Sequence, residues 1–223
     1  MDHFQDRIST ISGKLSACSA VLVLTCSSGM AQGAPGQQPV ANSHVRLSSQ
    51  IVAGKKCSVI WVSRKVAATA FDVELAPDFP NGDTEFKSFL SDQSIVAAIN
   101  GAYFDKLTRH PIGDIWKQGE LKYFGAMGTA FCVGRDGRFD IRRVERSRHA
   151  DWSKQSLVVA CGPALVLDGK VDCDWQSEGF RDPSVIVSTP RMGIGYTQDQ
   201  DLLLVSSTSA TFEEFAQVMH KLG

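Results

Sequence analysis

The chain has 223 residues, of which 43% are hydrophobic and 21% are charged, and its formal net charge is −1. This length suits one domain with an N-terminal extension, and the apolar fraction is sufficient for a globular core. The balanced charge excludes the strongly basic composition by which many proteins hold nucleic acid, so no nucleic-acid partner is expected.

The first 31 residues are typical of a secretion signal. Arg7 and Lys14 precede an apolar stretch over residues 15–25, and Gly29 and Ala31 are the small residues that a cleavage after Ala31 requires. The apolar stretch is short and interrupted by Ser and Cys, so a stable membrane span is not expected. We therefore predict a secreted or periplasmic protein with a signal peptide over residues 1–31.

The region after the predicted signal is rich in Gly, Pro, Gln and Ala. This composition predicts a flexible linker over residues 32–50, which leaves residues 51–223 as one domain. An alternative reading of the N-terminus is a lipoprotein, because residues 15–18 (LSAC) mimic a lipid-attachment box. Such a box normally follows the apolar core of the signal, whereas this one precedes it.

The apolar pattern of the domain predicts many short strands with a helix near either end. Alternation predicts strands over residues 56–63 and 68–75, and the spacing of apolar residues predicts a short helix over residues 84–91. A buried strand is expected over residues 94–99. Further strands are predicted over residues 130–133, 139–144, 157–160, 165–171, 192–196 and 202–206.

The last helix is predicted from its start signal. Thr211 and Glu214 have the spacing of a capping box, in which each side chain bonds the backbone of the other residue. Together these elements predict an α+β fold, a mixed β-sheet domain with flanking helices.

Six cysteines occur in the chain. Cleavage after Ala31 would leave Cys57, Cys132, Cys161 and Cys173, and an even number in an oxidising compartment predicts at least one disulfide bond. Cys161 and Cys173 flank a predicted hairpin and are the first choice, although all three pairings stay open. No Cys-x-x-Cys pair or histidine pair has metal-binding spacing, so no metal site is expected.

Polar residues follow the predicted strand over residues 94–99. Residues 99–105 (INGAYFD) contain an Asn-Gly pair, which tolerates positive φ and can end a strand abruptly. Such a junction lifts Asn100, Tyr103 and Asp105 into a cleft. Three Gly-rich motifs follow at residues 111–121 (PIGDIWKQGEL), 161–171 (CGPALVLDGKV) and 190–196 (PRMGIGY).

In their order and spacing these four motifs resemble the phosphodiester glycosidase family, and the resemblance spans roughly residues 58–223. It implies an exported hydrolase that cleaves a sugar-1-phosphodiester linkage in a glycan or glycoconjugate. Ala102 stands where the family usually has the second glycine of Asn-Gly-Gly. The family also has a strand and a Leu-Asp-Gly-Gly segment after the last helix, so the domain is expected to lack its last strand. The alternative is a non-catalytic envelope or carbohydrate-binding module that retains the fold.

The candidate site residues lie within the resembling motifs. Arg191 is expected to hold the phosphate, because its planar fork of donors matches phosphoryl oxygens. Asn100 and Tyr103 are expected to contact the sugar or the phosphate. Cleavage at the anomeric carbon is usually assisted by carboxylates, for which Asp105 and Asp114 are the catalytic candidates.

Each candidate has a purely structural alternative. Asp105 can cap a loop, Asp114 and Asn100 can form turns, Arg191 can pair with a surface carboxylate, and Tyr103 can be a packing residue. The expected partner is a carbohydrate or phosphorylated sugar, and the motifs identify no cofactor.

Overall fold

The structure is a computed structural model that describes residues 20–25, 44–82, 84–92, 94–145, 148 and 150–223. The strands in chain order are β1 (Ala20–Thr25), β2 (Val45–Val52), β3 (Lys55–Val62), β4 (Phe71–Leu75), β5 (Ile95–Asn100), β6 (Ile115–Lys117), β7 (Glu120–Tyr123), β8 (Thr129–Gly134), β9 (Phe139–Arg143), β10 (Gln155–Gly162), β11 (Val166–Leu167), β12 (Lys170–Val171), β13 (Thr189–Tyr196) and β14 (Leu202–Ala210). The helices are α1 (Arg64–Ala70), α2 (Phe86–Phe89), α3 (Pro183–Ile186) and α4 (Phe212–Leu222).

Three sheets form most of the fold. One has the order β4-β1-β5, the second β7-β6-β10-β8-β9, and the third β13-β14-β3-β2, while β11 and β12 form a separate hairpin. Every strand pairing in the described part of the chain is antiparallel. The domain is therefore a sheet-rich α+β fold of antiparallel sheets, which agrees with the predicted class only in its coarse form.

The core lies where the inner faces of the three sheets meet. Its main cluster combines apolar side chains from all of them, including Leu22, Ile99, Phe131, Val159 and Leu204. Burying a side chain of this size typically contributes about 1.5–3 kcal/mol, so this cluster is the principal source of stability. A second cluster covers the outer face of the third sheet, where α4 packs against β3 and β14.

Several predicted elements are confirmed. β3 and β5 lie within one residue of the predicted strands, and β8 and β9 form the predicted hairpin. The capping box of α4 is also present. Thr211 Oγ1 accepts a hydrogen bond from the Glu214 N–H at 3.2 Å, and Glu214 Oε2 accepts one from the Thr211 N–H at 3.0 Å.

Other elements differ from the predictions. Residues 68–70 belong to α1, so the strand predicted over residues 68–75 begins only at Phe71. β2 begins at Val45, inside the range predicted as a linker. β1 lies inside the range predicted as a signal peptide, whereas Arg7, Lys14, Gly29 and Ala31 lie outside the described residues.

No helix among residues 20–25, 44–82, 84–92, 94–145 and 150–223 is both long and apolar enough to cross a bilayer.

The predicted disulfide is not formed in this structure. Cys57, Cys132, Cys161 and Cys173 are all free thiols. Two of them lie in different clusters, because Cys57 is buried beneath α4 whereas Cys132 is buried on the outer face of the second sheet. Burial raises the pKa of both Cys132 and Cys161 to about 12, so these thiols are protonated at neutral pH.

Candidate functional site

A cavity of about 1140 Å³ lies where the three sheets meet and is lined by residues of β5, β10, β13 and α4. Asn100, Tyr103 and Arg191 are among its lining residues. The fold therefore brings together three of the five residues that were predicted from the sequence. Asp105 and Asp114 are not among the residues that line this cavity.

Asn100 is the last residue of β5, and the next residue is held close to β1. The Gly101 N–H donates to the Ala20 carbonyl at 3.1 Å, and a Cβ at Gly101 would lie 2.9 Å from that carbonyl oxygen. Only glycine avoids this clash without a backbone shift. Asn100 Oδ1 is buried and has no hydrogen-bond partner in the described part of the chain, so one acceptor of this cavity-lining residue is left unsatisfied.

Tyr103 lies near Gly162, the last residue of β10. Its ring makes an edge contact with Phe180 at a centroid distance of 5.3 Å. A Cβ at Gly162 would lie 3.3 Å from Tyr103 Cε2, so the glycine at this point allows the ring to lie close to the strand. Burial raises the pKa of Tyr103, and the charge and hydrogen bond of nearby Arg191 offset part of that rise.

Arg191 is a buried cation, with 4% of its surface exposed. Its Nε donates to the Ala210 carbonyl at 3.0 Å, and its Nη2 donates to the carbonyls of Val187, at 2.8 Å, and Val185. Its guanidinium also stacks on the Phe212 ring at 4.0 Å. None of the described ion pairs includes Arg191, so the alternative of a surface carboxylate partner is not observed.

Asp105 closes an exposed loop beyond the cavity. Its Oδ1 accepts hydrogen bonds from the backbone N–H groups of Leu107, at 2.9 Å, and Thr108, at 2.8 Å. It also accepts the Thr108 hydroxyl at 3.1 Å. These bonds stabilise the carboxylate and lower the pKa of Asp105. These contacts correspond to the structural alternative for Asp105, in which its side chain caps a loop.

Asp114 is almost fully buried and joins two loops. Its Oδ1 accepts from the Gly125 N–H at 3.0 Å, and its Oδ2 accepts from the Trp152 indole N–H at 2.7 Å. Asp114 is 1% exposed, so neither oxygen faces solvent. Both carboxylate oxygens of Asp114 are therefore used in hydrogen bonds that stabilise the fold.

Three other carboxylates do line the cavity, and the sequence prediction did not select them. They are Asp140 on β9, Asp168 in the turn between β11 and β12, and Asp199 in the turn before β14. Asp140 Oδ2 is paired with Arg142 Nε at 2.7 Å. Asp168 has a φ of 49°, which is typical of a turn residue.

Glu178 is a buried carboxylate beside the cavity that sequence reasoning also missed. Its Oε2 accepts the Thr129 hydroxyl at 2.6 Å, and its Oε1 accepts the Ala164 N–H at 3.0 Å. Both partners line the cavity, so Glu178 fixes the start of β8 relative to the loop after β10. Burial raises the pKa of Glu178, while its two hydrogen bonds and Arg143 act in the opposite direction.

A metal centre was not expected, and the described residues contain no group of three or more His, Cys, Asp or Glu side chains that could hold a metal ion. The lining of this cavity includes one guanidinium, two phenols, two amides and three carboxylates, and these polar groups suit an uncharged or anionic organic ligand.

Comparison with solved structures supports the fold. A hypothetical protein from Synechocystis has a TM-score of 0.60 at 14% identity over 80% of this chain. This chain spans about half of that protein, with 54% of its length covered. The zebrafish N-acetylglucosamine-1-phosphodiester alpha-N-acetylglucosaminidase catalytic domain, auto-inhibited by its pro-peptide, has a TM-score of 0.51 at 14% identity. That match covers 100% of this chain and 78% of the zebrafish domain.

Comparison of the sequence with curated proteins gives no match. The sequence profile of the phosphodiester glycosidase family, however, matches residues 93–223, which is more than half of the chain and contains all five predicted site residues. The chain therefore belongs to the phosphodiester glycosidase family.

Proposed function

We propose that this protein is a hydrolase that cleaves a sugar-1-phosphodiester linkage in a glycan or glycoconjugate. Membership of the phosphodiester glycosidase family supports a glycosidase-type activity on a carbohydrate. The cavity lined by Asn100, Tyr103 and Arg191 is the proposed substrate site.

The observation that carries this proposal is the buried Arg191. Its charge is compensated by three backbone carbonyls and an aromatic ring, and it has no carboxylate within ion-pair distance in the described structure. A buried cation is strongly stabilised by a counter-ion. An anionic phosphodiester in the cavity would supply a counter-ion in direct contact with Arg191, with Tyr103 as a neighbouring hydrogen-bond donor.

The chemistry of the leaving group fits such a site. Glycoside hydrolysis normally uses one carboxylic acid to protonate a poor alkoxide leaving group. Phosphate is a far weaker base than an alkoxide, so its departure from the anomeric carbon needs less help from an acid. A site whose main charged group is a cation is therefore sufficient for breaking the bond between the anomeric carbon and the phosphate oxygen. The attacking water still needs a base, and Asp140, Asp168 and Asp199 are the carboxylates that line the cavity.

Asp105 and Asp114 stay as the catalytic candidates of the sequence analysis, but their contacts favour structural roles. Export likewise stays a prediction. Cleavage after Ala31 would separate β1 covalently from the rest of the chain, so the fold described above would require residues 20–25 to stay bound after the cut.

The second candidate function is a carbohydrate-binding module without turnover. The observation in its favour is that both predicted catalytic carboxylates make their hydrogen bonds away from the cavity. The two functions share the binding step and differ only in whether product forms.

The test is an assay of the full chain on a synthetic N-acetylglucosamine-1-phosphodiester. We expect release of N-acetylglucosamine, and no release from the corresponding methyl glycoside, which lacks the phosphate. Asn100→Ala should lower turnover at least about tenfold, because a hydrogen bond to a substrate is lost. Asn81→Ala is the matched control, since Asn81 is an exposed asparagine outside the cavity. Binding without release, abolished in Asn100→Ala, would favour the binding module, and neither binding nor release would contradict both functions.

A further inference from the structure

β1 is the most deeply buried strand of the first sheet. The five residues from Ala20 to Leu24 are each at most 1% exposed. Ala20, Leu22 and Leu24 pack into the main core, whereas Val21 and Val23 pack on the other face with Phe86 and Ile95. An apolar strand covered on both faces is an interior element of a fold.

β1 is also paired along both edges. It runs antiparallel to β4, with Leu22 opposite Val73, and antiparallel to β5, with Leu22 opposite Ile99. β4 and β5 therefore have no pairing with each other in this sheet. Without β1, the backbone N–H and C=O groups of two buried strands would lose their partners at once.

β1 supports the candidate site directly. Val21 is opposite Asn100, and the Ala20 carbonyl accepts the Gly101 N–H at 3.1 Å. Leu22 is itself a lining residue of the cavity. The position of the unpartnered Asn100 amide therefore depends on this strand.

We propose that the slot between β4 and β5 is a strand-binding site and that residues 20–25 occupy it permanently in the folded protein. This inference is independent of the proposed activity, because it rests on burial and strand pairing alone. It gives the N-terminal apolar segment a second role, since the same residues carry the secretion-signal pattern. In a folded molecule the segment is retained, even where the chain is cut between residues 26 and 43.

The first test cuts the full chain after folding. A specific protease site is inserted within residues 32–43, and the cut protein is passed over a size-exclusion column without denaturant. We expect the N-terminal fragment to co-elute with the domain and to separate only in denaturant. Release of the fragment under native conditions would overturn the proposal.

The second test uses substitutions in the uncut chain. Leu22→Asp places a charge inside the core and should lower the Tm by about 10 °C or more. The milder Leu22→Ala should lower it by about 5 °C or more, which keeps the test usable if the aspartate variant does not fold. Ile51→Asp is the matched control, because Ile51 is a strand residue that is 78% exposed, and its Tm should change by no more than about 2 °C.

The third test determines the N-terminus of the folded protein from its natural host by mass spectrometry. A chain that still contains residues 20–25, bound or covalently attached, supports the proposal. A folded protein that begins at Gln32 and has the same Tm as the full chain would overturn it, as would an unchanged Tm in both Leu22 variants.

Discussion

The guanidinium of Arg191 lies 4.0 Å from the centroid of the Phe212 ring. Phe212 is the first residue of α4, and Arg191 is on β13, so this contact joins the last helix to the wall of the cavity. The same guanidinium donates to three backbone carbonyls. Arg191 is therefore both a structural cation and the positive charge of the candidate site.

Arg191→Lys should lower stability as well as activity. Lysine keeps the charge, but its single ammonium cannot reach the three carbonyls and the ring together. We expect a loss of about 3 kcal/mol in the free energy of unfolding, measured by urea denaturation. Arg135→Lys, on the exposed turn after β8, is the matched control and should change it by about 0.5 kcal/mol or less. Equal stability of the two variants would show that the carbonyl contacts contribute little.

The two sequence-predicted carboxylates should respond differently to amide substitution. Asp114→Asn replaces one buried acceptor by a donor that faces either the Gly125 or the Trp152 N–H. It should lower the free energy of unfolding by about 2 kcal/mol. The measurement is urea denaturation, followed at the tryptophans.

Asp105→Asn should have little effect on stability or turnover, because an amide oxygen can still accept the bonds from Leu107 and Thr108. The measurement is kcat/KM on the phosphodiester substrate, with an expected change within about twofold, which corresponds to about 0.4 kcal/mol. Loss of turnover with an unchanged Tm would instead identify Asp105 as the catalytic carboxylate that its sequence position first suggested.

Glu178 should make stability depend on pH. Burial raises the pKa of Glu178 in the folded protein above its ordinary value of 4.5, so the folded state holds this proton more tightly than the unfolded state. Its contribution to the free energy of unfolding is full below the ordinary pKa and is lost as pH rises through the folded pKa. Glu178→Gln mimics the protonated acid, so its stability should not change as Glu178 titrates. The free energy of unfolding of the wild type should therefore fall relative to that of the variant as pH rises from the ordinary pKa to the folded pKa. Parallel pH profiles for the two proteins would contradict this account.

The buried and partly buried thiols should react slowly until the protein unfolds. Burial raises the pKa of Cys132 and Cys161 to about 12 and that of Cys173 to about 11, so little reactive thiolate is present near neutral pH. We expect slow modification by a maleimide in the native protein and rapid modification in denaturant. A thiol count on unreduced, denatured protein also tests the disulfide expectation, since fewer than four free thiols from these positions would show that a bond forms in solution.

The local features of the fold could be predicted from the sequence. The Thr211–Glu214 capping box, the β8–β9 hairpin and the buried strand before Asn100 all depend on residues close together in the chain. The family motifs also placed Asn100, Tyr103 and Arg191, and these three residues do line one cavity.

Features that depend on tertiary contacts could not be predicted in the same way. The apolar residues of β1 have the composition of a signal core, and only the slot between β4 and β5 explains their position as a strand. Asp105 and Asp114 follow the motif pattern, but their roles are set by which N–H groups they meet. Glu178 has no distinctive sequence context, and its importance comes from Thr129 and Ala164, which are distant in the chain.

The most direct measurement of the central claim is hydrolysis of a synthetic N-acetylglucosamine-1-phosphodiester in water labelled with a heavy oxygen isotope. A glycosidase breaks the bond between the anomeric carbon and oxygen, whereas a phosphodiesterase breaks a bond between phosphorus and oxygen. We predict that mass spectrometry will find the label in the released sugar and none in the phosphate product. Label in the phosphate, or no product while the substrate binds, would contradict the claim that this cavity is the site of a phosphodiester glycosidase.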